Sequence, residues 1–237
     1  MNVGTGELAN HLDLNIESVY LLSMPEKDYS PMFDYKGLPD RLIAPYDRLV
    51  LAVTDIHLIA DMFFTLFYSK PERHDLLRKT SGIFFVSLYG ILADTFITHA
   101  FRLMEHEYTG SKRNLNLESL ITLLKEDSND SLAKECSCIL TELRKQGQKL
   151  KKIRHKKISH LDQDAAFKPE KYLLPESFNS DMKTFLDGIS NLMNLISSHY
   201  CGSSAYFTPC SYQGTDSLLD FLEMGLERYN EKFNLNV

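Results

Sequence analysis

The chain has 237 residues, 43% of them hydrophobic and 24% charged, which is ordinary for a soluble globular domain and enough to bury a core without disulfide or metal staples. Its net charge of -6 excludes a surface that attracts nucleic acid as a whole, so any site for a polyanion has to be a local patch. Cys136, Cys138, Cys201 and Cys210 lack the spacing of a zinc hook, the first two falling on different faces of a helix, and read as reduced thiols.

The first forty residues carry Pro25, Pro31 and Pro39, each of which biases its predecessor away from helix. An irregular arm is expected over residues 1–44. Met1 to Asn10 lacks the basic-then-apolar plan of a signal peptide. A first long helix is expected from about Pro45, a residue tolerated in a first turn. Leu49, Val53, Ile56, Ile59, Ala60, Phe63, Phe64 and Phe67 then keep helical spacing up to Lys70-Pro71. A second helix, Ser81 to His106, is apolar almost all round, the mark of a helix central in its bundle. Ser87, Asp94, Thr95 and His99 make its run from Gly82 to Phe101 too polar for a membrane span, so the cytoplasm is the expected compartment.

Asn116 can cap a short helix, Leu117 to Lys125, and Asp130 a long one from Ser131 to about Arg154. The long helix has a core stripe of Leu132, Ile139, Leu140, Leu143, Leu150 and Ile153. Pro169 and Pro175 bracket a loop. A fifth helix covers Asn179 to Tyr200, residues 202–214 read as loop, and a last helix covers Ser217 to Phe233. No period-2 segment argues for a sheet. The expected fold is all-α: a helical bundle over residues 45–201, with the loop and helix of residues 202–237 packed on it.

The candidate chemistry lies in Ile153-Arg154-His155-Lys156-Lys157-Ile158-Ser159-His160-Leu161-Asp162. Arg holds phosphate oxygens through two parallel hydrogen bonds, and imidazole exchanges a proton near neutral pH. On a regular helix six positions turn about 600°, so Arg154 and His160 would not share a face. Either the helix loosens near Ser159 or the two meet across a two-fold axis. Asp162 can orient His160, cap the segment after it, or pair with Arg154; His155 reads as a solvated side chain or as a second polar contact. Lys145, Lys149, Lys151, Lys152, Lys156 and Lys157 form a basic strip. The four nearest the motif, Lys151, Lys152, Lys156 and Lys157, are the candidate RNA-binding residues. Tyr206, Phe207 and Tyr212 can stack on bases or pack their loop onto the bundle. No Walker loop, GxGxxG or HExxH occurs, and no metal or cofactor is expected.

Three stretches together resemble the HEPN superfamily, in its AbiU-type branch named after abortive-infection proteins. They are Phe101-Arg102-Leu103-Met104 at the end of the apolar helix, Asn114-Leu115-Asn116-Leu117-Glu118-Ser119-Leu120, and the Ile153–Asp162 segment, which is similar to that branch's Arg-polar-Lys-x-Ile-Ala-His-x-Asp signature. The resemblance covers about Pro45 to Tyr200. It implies a helical bundle that forms a homodimer. It also implies a metal-independent endoribonuclease with Arg154 and His160 as the catalytic pair, cleaving RNA by internal attack of the 2′-hydroxyl. The implied setting is defence or a toxin–antitoxin pair, with an antitoxin or nucleotidyltransferase as the kind of partner. HEPN domains also include inactive members, so the alternative is a catalytically silent module that binds RNA or a protein.

Overall fold

A computed structural model of the chain describes residues 35–158, 162–205, 207 and 214–233. Most of the N-terminal arm, together with His160, Tyr206, Cys210 and Tyr212, therefore lies outside the described residues.

The first helix, α1, spans Asp40–Phe67 and starts earlier than Pro45 suggests. Pro39 sits at its N-cap and Pro45 falls inside it. A proline there forgoes one early backbone bond, which the following apolar stripe outweighs. Leu42, Tyr46, Leu49, Val53, Ile56, Ala60 and Phe63 of that stripe are fully buried.

The second helix, α2, spans Pro71–Met104 and opens with a proline in its first turn. Its start at Pro71 precedes the expected Ser81. Ser81 instead marks a break within it, at φ -160° and ψ 69°, and a Ser-Gly pair is a recognised kink site. The expectation of a helix central along its whole length holds only for the second half. There Leu92, Ala93, Phe96, Ile97, Ala100 and Leu103 are buried. In the first half Ile83 and Val86 are 88% and 75% exposed. The neighbours of this half are the end of α1 and the last helix.

By length and composition alone α1 and α2 are both apolar enough to cross a membrane, with mean hydropathies of 1.8 and 1.5 in their most apolar windows. That corrects the reading of α2 as too polar for the test. The core helix of a soluble protein passes the same test, and these two pack on one another.

A two-residue hairpin, β1 (Tyr108–Thr109) and β2 (Lys112–Arg113), follows α2. It turns through Gly110 at φ +62°, a backbone that glycine adopts without steric cost. Next comes α3, Leu117–Glu126, opened by a capping box in which Asn116 and Ser119 each satisfy the other's backbone N–H. The long helix α4 spans Asp130–Ile153. Its N-cap is Asn129, and Asp130 is the first helical residue rather than the cap. A π-helical turn, Arg154–Ile158, continues it. A short helix α5 (Gln163–Phe167) and a 3₁₀ turn (Pro169–Tyr172) lead to α6, Phe178–Cys201. α6 stops at Gly202 in the left-handed conformation. The last helix, α7, spans Thr215–Phe233 and buries only Leu219.

The core lies where α1, the second half of α2, α4 and α6 meet. Phe63, Tyr89, Phe96, Phe178 and Phe185 form a chain of edge-on and tilted rings through it. Helices α4 and α6 approach so closely at Gly188 that a Cβ there would stand 2.6 Å from Cδ2 of Leu143.

Candidate functional site

The site forms where two helix ends meet, the C-terminus of α2 and the C-terminus of α4. A helix leaves its last carbonyls without intrahelical donors. At α2 these are taken by side chains. Arg144, from α4, donates Nε to the carbonyl of Met104 at 2.7 Å and Nη2 to the carbonyl of Glu105 at 2.8 Å. Asn116 adds its side-chain amide to the carbonyls of Glu105 and His106.

The third nitrogen of Arg144 meets the Glu118 carboxylate at 2.8 Å. The other Glu118 oxygen accepts the backbone N–H of Glu107 at 2.6 Å. Burial alone would raise the pKa of Glu118. The bonds from Arg144 and Glu107, with the charges of Arg144 and His106, outweigh it and hold the group at about 2. Gly147 lets α4 lie close to this end, since a Cβ there would stand 3.0 Å from the tip of Met104.

The clamp fixes the backbone of Glu105, whose side chain receives Arg154. The two form a hydrogen-bonded ion pair. The Arg154 guanidinium also stands over the Phe101 ring, 5.6 Å from its centroid, a favourable place for a cation. Carboxylate and ring together hold this half-buried Arg, the first residue of the π turn. Proximity in sequence makes Asp162 the candidate salt-bridge partner of Arg154. The partner is instead Glu105, and Asp162 is engaged elsewhere.

The helix widens into the π turn at Arg154–Ile158, and Ser159, near which the loosening is expected, lies outside the described residues. A wider turn changes the angle between successive side chains, and π turns recur at functional sites. Asp162 ties the segment beyond it back onto this turn. Its carboxylate meets the Lys156 ammonium at 2.6 Å and its N–H donates to the Lys156 carbonyl at 3.2 Å. Its own carbonyl accepts the N–H of Ala166 at 2.9 Å and so opens α5.

His160, between Lys156 and Asp162 in sequence, lies outside the described residues, and so does any contact between Asp162 and His160. His155 is exposed beside Arg154. Of the four lysines, Lys156 holds Asp162, Lys157 meets Asp94 at 3.2 Å, and Lys152 stands over the Tyr172 ring at 5.1 Å. Lys151 is exposed on α4. Further back on the strip, Lys145 and Lys149 pair with Glu142 and Asp181.

Among the candidate stacking aromatics, Tyr206 and Tyr212 lie outside the described residues. Phe207 is buried and stacked on His57, so it packs its loop and is not open to a base. That His57 ring bridges the Val53 carbonyl and the Ser190 hydroxyl, and burial pushes its pKa down. The thiol of Cys136 is buried and its pKa is raised by that burial to about 12, while Cys138 is exposed. Among the described residues no group of three or more His, Cys, Asp or Glu is placed to hold a metal ion.

Sequence reasoning missed Glu105, Phe101 and Arg144 as the supports of Arg154. Glu105 and Arg144 are 39 positions apart, and no short spacing links them.

No curated protein and no solved structure matches the chain. The family model of the AbiU2 HEPN domain matches residues 41–221, from the first turn of α1 into α7. With most of its length covered by that model, the chain belongs to the AbiU2 family of HEPN domains.

Proposed function

We propose that this chain is an endoribonuclease that cleaves RNA by internal attack of a 2′-hydroxyl, in a defence or toxin–antitoxin setting. HEPN membership supports an RNA-related role in general. The finer reading rests on one observation: the motif's Arg154 is placed by Glu105 and Phe101 at a loosened helix end, shortly before His160. In this mechanism Arg154 binds a non-bridging oxygen of the scissile phosphate and offsets the charge that grows there. His160 takes the 2′-hydroxyl proton. The 2′ oxygen bonds to phosphorus, and the 5′ oxygen of the next nucleotide leaves with a proton delivered by a second imidazole or water. The products are a 2′,3′-cyclic phosphate and a 5′-hydroxyl. Two copies of the chain supply paired motifs, so we infer a homodimer that sets one Arg154–His160 segment beside the other.

A silent RNA-binding or partner-binding module is the rival reading. It is favoured by the ion pairs that already engage Arg154, Lys156 and Lys157.

The deciding experiment is an RNA cleavage assay in EDTA. His160→Ala is expected to slow cleavage about a hundred- to ten-thousand-fold, and Arg154→Ala roughly a hundred- to thousand-fold, with melting of the His160 variant unchanged. Wild type that cleaves no RNA, or His160→Ala that cleaves as fast, hands the assignment to the silent module.

A further inference from the structure

We propose that Phe167 is a stacking platform for a base of single-stranded RNA, and so a substrate-binding residue of the site above; the inference rests on the RNA reading of that site but not on cleavage. Phe167 is 76% exposed at the end of α5. A lone exposed Phe is ordinary. Its surroundings set this one apart from the exposed aromatics of the last helix. Phe221, Tyr229 and Phe233 lie on α7, which carries five acidic residues against two basic ones. Phe167 lies in the segment 144–171, where ten Lys and Arg stand against three acids. Exposed Lys168 follows it directly, and exposed Lys171 stands one turn on. That charge favours a polyanion over a protein partner of matching apolar surface.

The backbone that carries the ring is also tied down on both sides. On its N-terminal side Asp162 pins α5 to the π turn through Lys156, and Ala166, the neighbour of Phe167, bonds back to Asp162. On its C-terminal side the 3₁₀ turn is anchored by buried Tyr172 beneath the Lys152 ammonium. The chain between these anchors presents one exposed aromatic ring at the end of a short helix that packs on the π turn. An aromatic face takes any base, while phosphates on either side of it meet the lysines. This is the pairing of features by which single strands are gripped without reading their sequence.

The chain contains no Trp, so Phe167→Trp introduces a single reporter. The probe is a 2′-O-methyl oligoribonucleotide, which cannot be cleaved by 2′-hydroxyl attack, with inorganic polyphosphate as an anion without bases. The oligonucleotide is expected to quench the introduced fluorophore and polyphosphate is not. Phe167→Ala is expected to weaken oligonucleotide binding roughly five- to a hundredfold, with the salt dependence and the melting temperature kept. Equal binding by wild type and Phe167→Ala, or equal quenching by polyphosphate, overturns the platform while leaving the nuclease reading intact. Wild type that binds no RNA overturns both. Binding and quenching without cleavage by wild type removes only the nuclease reading.

Discussion

At its C-terminal end α2 is held by Arg144 and Asn116, and its last residues lie against Gly147 and Leu150 of α4. At its N-terminal end, before and just after Ser81, Leu77 and Phe85 are buried while Ile83, Phe84 and Val86 face outward. The first end has its last carbonyls held by directional bonds; at the second, Arg73 and His74 bond the Thr65 and Phe67 carbonyls in the first turn, but the stretch around Ser81 makes mainly apolar contacts, with an open concavity of about 520 Å³ beside it. One helix thus shows what each kind of contact does. Apolar burial has no direction and tolerates rotation of a side chain, whereas hydrogen bonds to fixed carbonyls set a backbone position closely. Only the directional end supports Glu105, and through it Arg154. The role proposed for Arg154 needs placement to a fraction of an ångström, a need met by supporting bonds rather than by more hydrophobic contact.

The largest expected effect breaks the clamped end. Arg144→Ala removes two bonds to carbonyls and the partner of Glu118. Losing charged hydrogen bonds and leaving a half-buried carboxylate behind costs on the order of 2–4 kcal/mol. Ile83→Ala, at the other end of the same helix, changes stability by less than about 0.5 kcal/mol because its side chain already faces solvent. Denaturant unfolding of both variants measures the contrast. Equal losses at the two ends would remove the distinction between them.

Much of this architecture could be read from local signals. Asn116 and Ser119 are three residues apart and make the box that starts α3, so the helix start was legible. The stripe from Leu132 to Ile153 marked α4, and Gly202 marked the end of α6. The motif itself pointed to Arg154. Its setting was not legible, because Glu105 lies 49 residues away and is reached only through the tertiary pairing of two helix ends. The helix from Pro71 to Ser81 was missed because Ser81-Gly82 interrupts the apolar period that comes after it. Phe207 was ambiguous for a similar reason. An aromatic in a loop reads alike whether it packs or projects, and here His57, 150 positions earlier, decides that it packs.

A smaller effect sharpens the comparison by titration. Glu118 holds its proton more weakly in the folded protein, at about 2, than the ordinary value of 4.5. Its stabilisation is therefore fully present above about 4.5 and is lost as the pH falls toward 2. Glu118→Gln should lower the melting temperature at pH 7, and the gap to wild type should close between those two pH values. A gap that stays constant down to about pH 2.5 would mean that Glu118 acts through shape and not through charge.

The smallest effect compares two exposed lysines, one near each region. Lys151 lies on α4, one turn before Arg154, and Lys79 lies on the first half of α2, beside the acidic α7. Each is a flexible cation on the surface, so neither removal should alter stability measurably. They differ in what an RNA strand would meet. A lysine that contacts a phosphate releases a counterion, so its loss weakens binding modestly at all sequences and lowers the salt slope by about one. Lys151→Ala should show that change in an affinity titration over a range of salt concentrations. Lys79→Ala should leave both affinity and slope as they are, because the neighbouring carboxylates of α7 repel the strand. If Lys79→Ala changed the slope and Lys151→Ala did not, the RNA path would run along the elbow of α2, and the basic end of α4 would have to be reassigned to holding the fold.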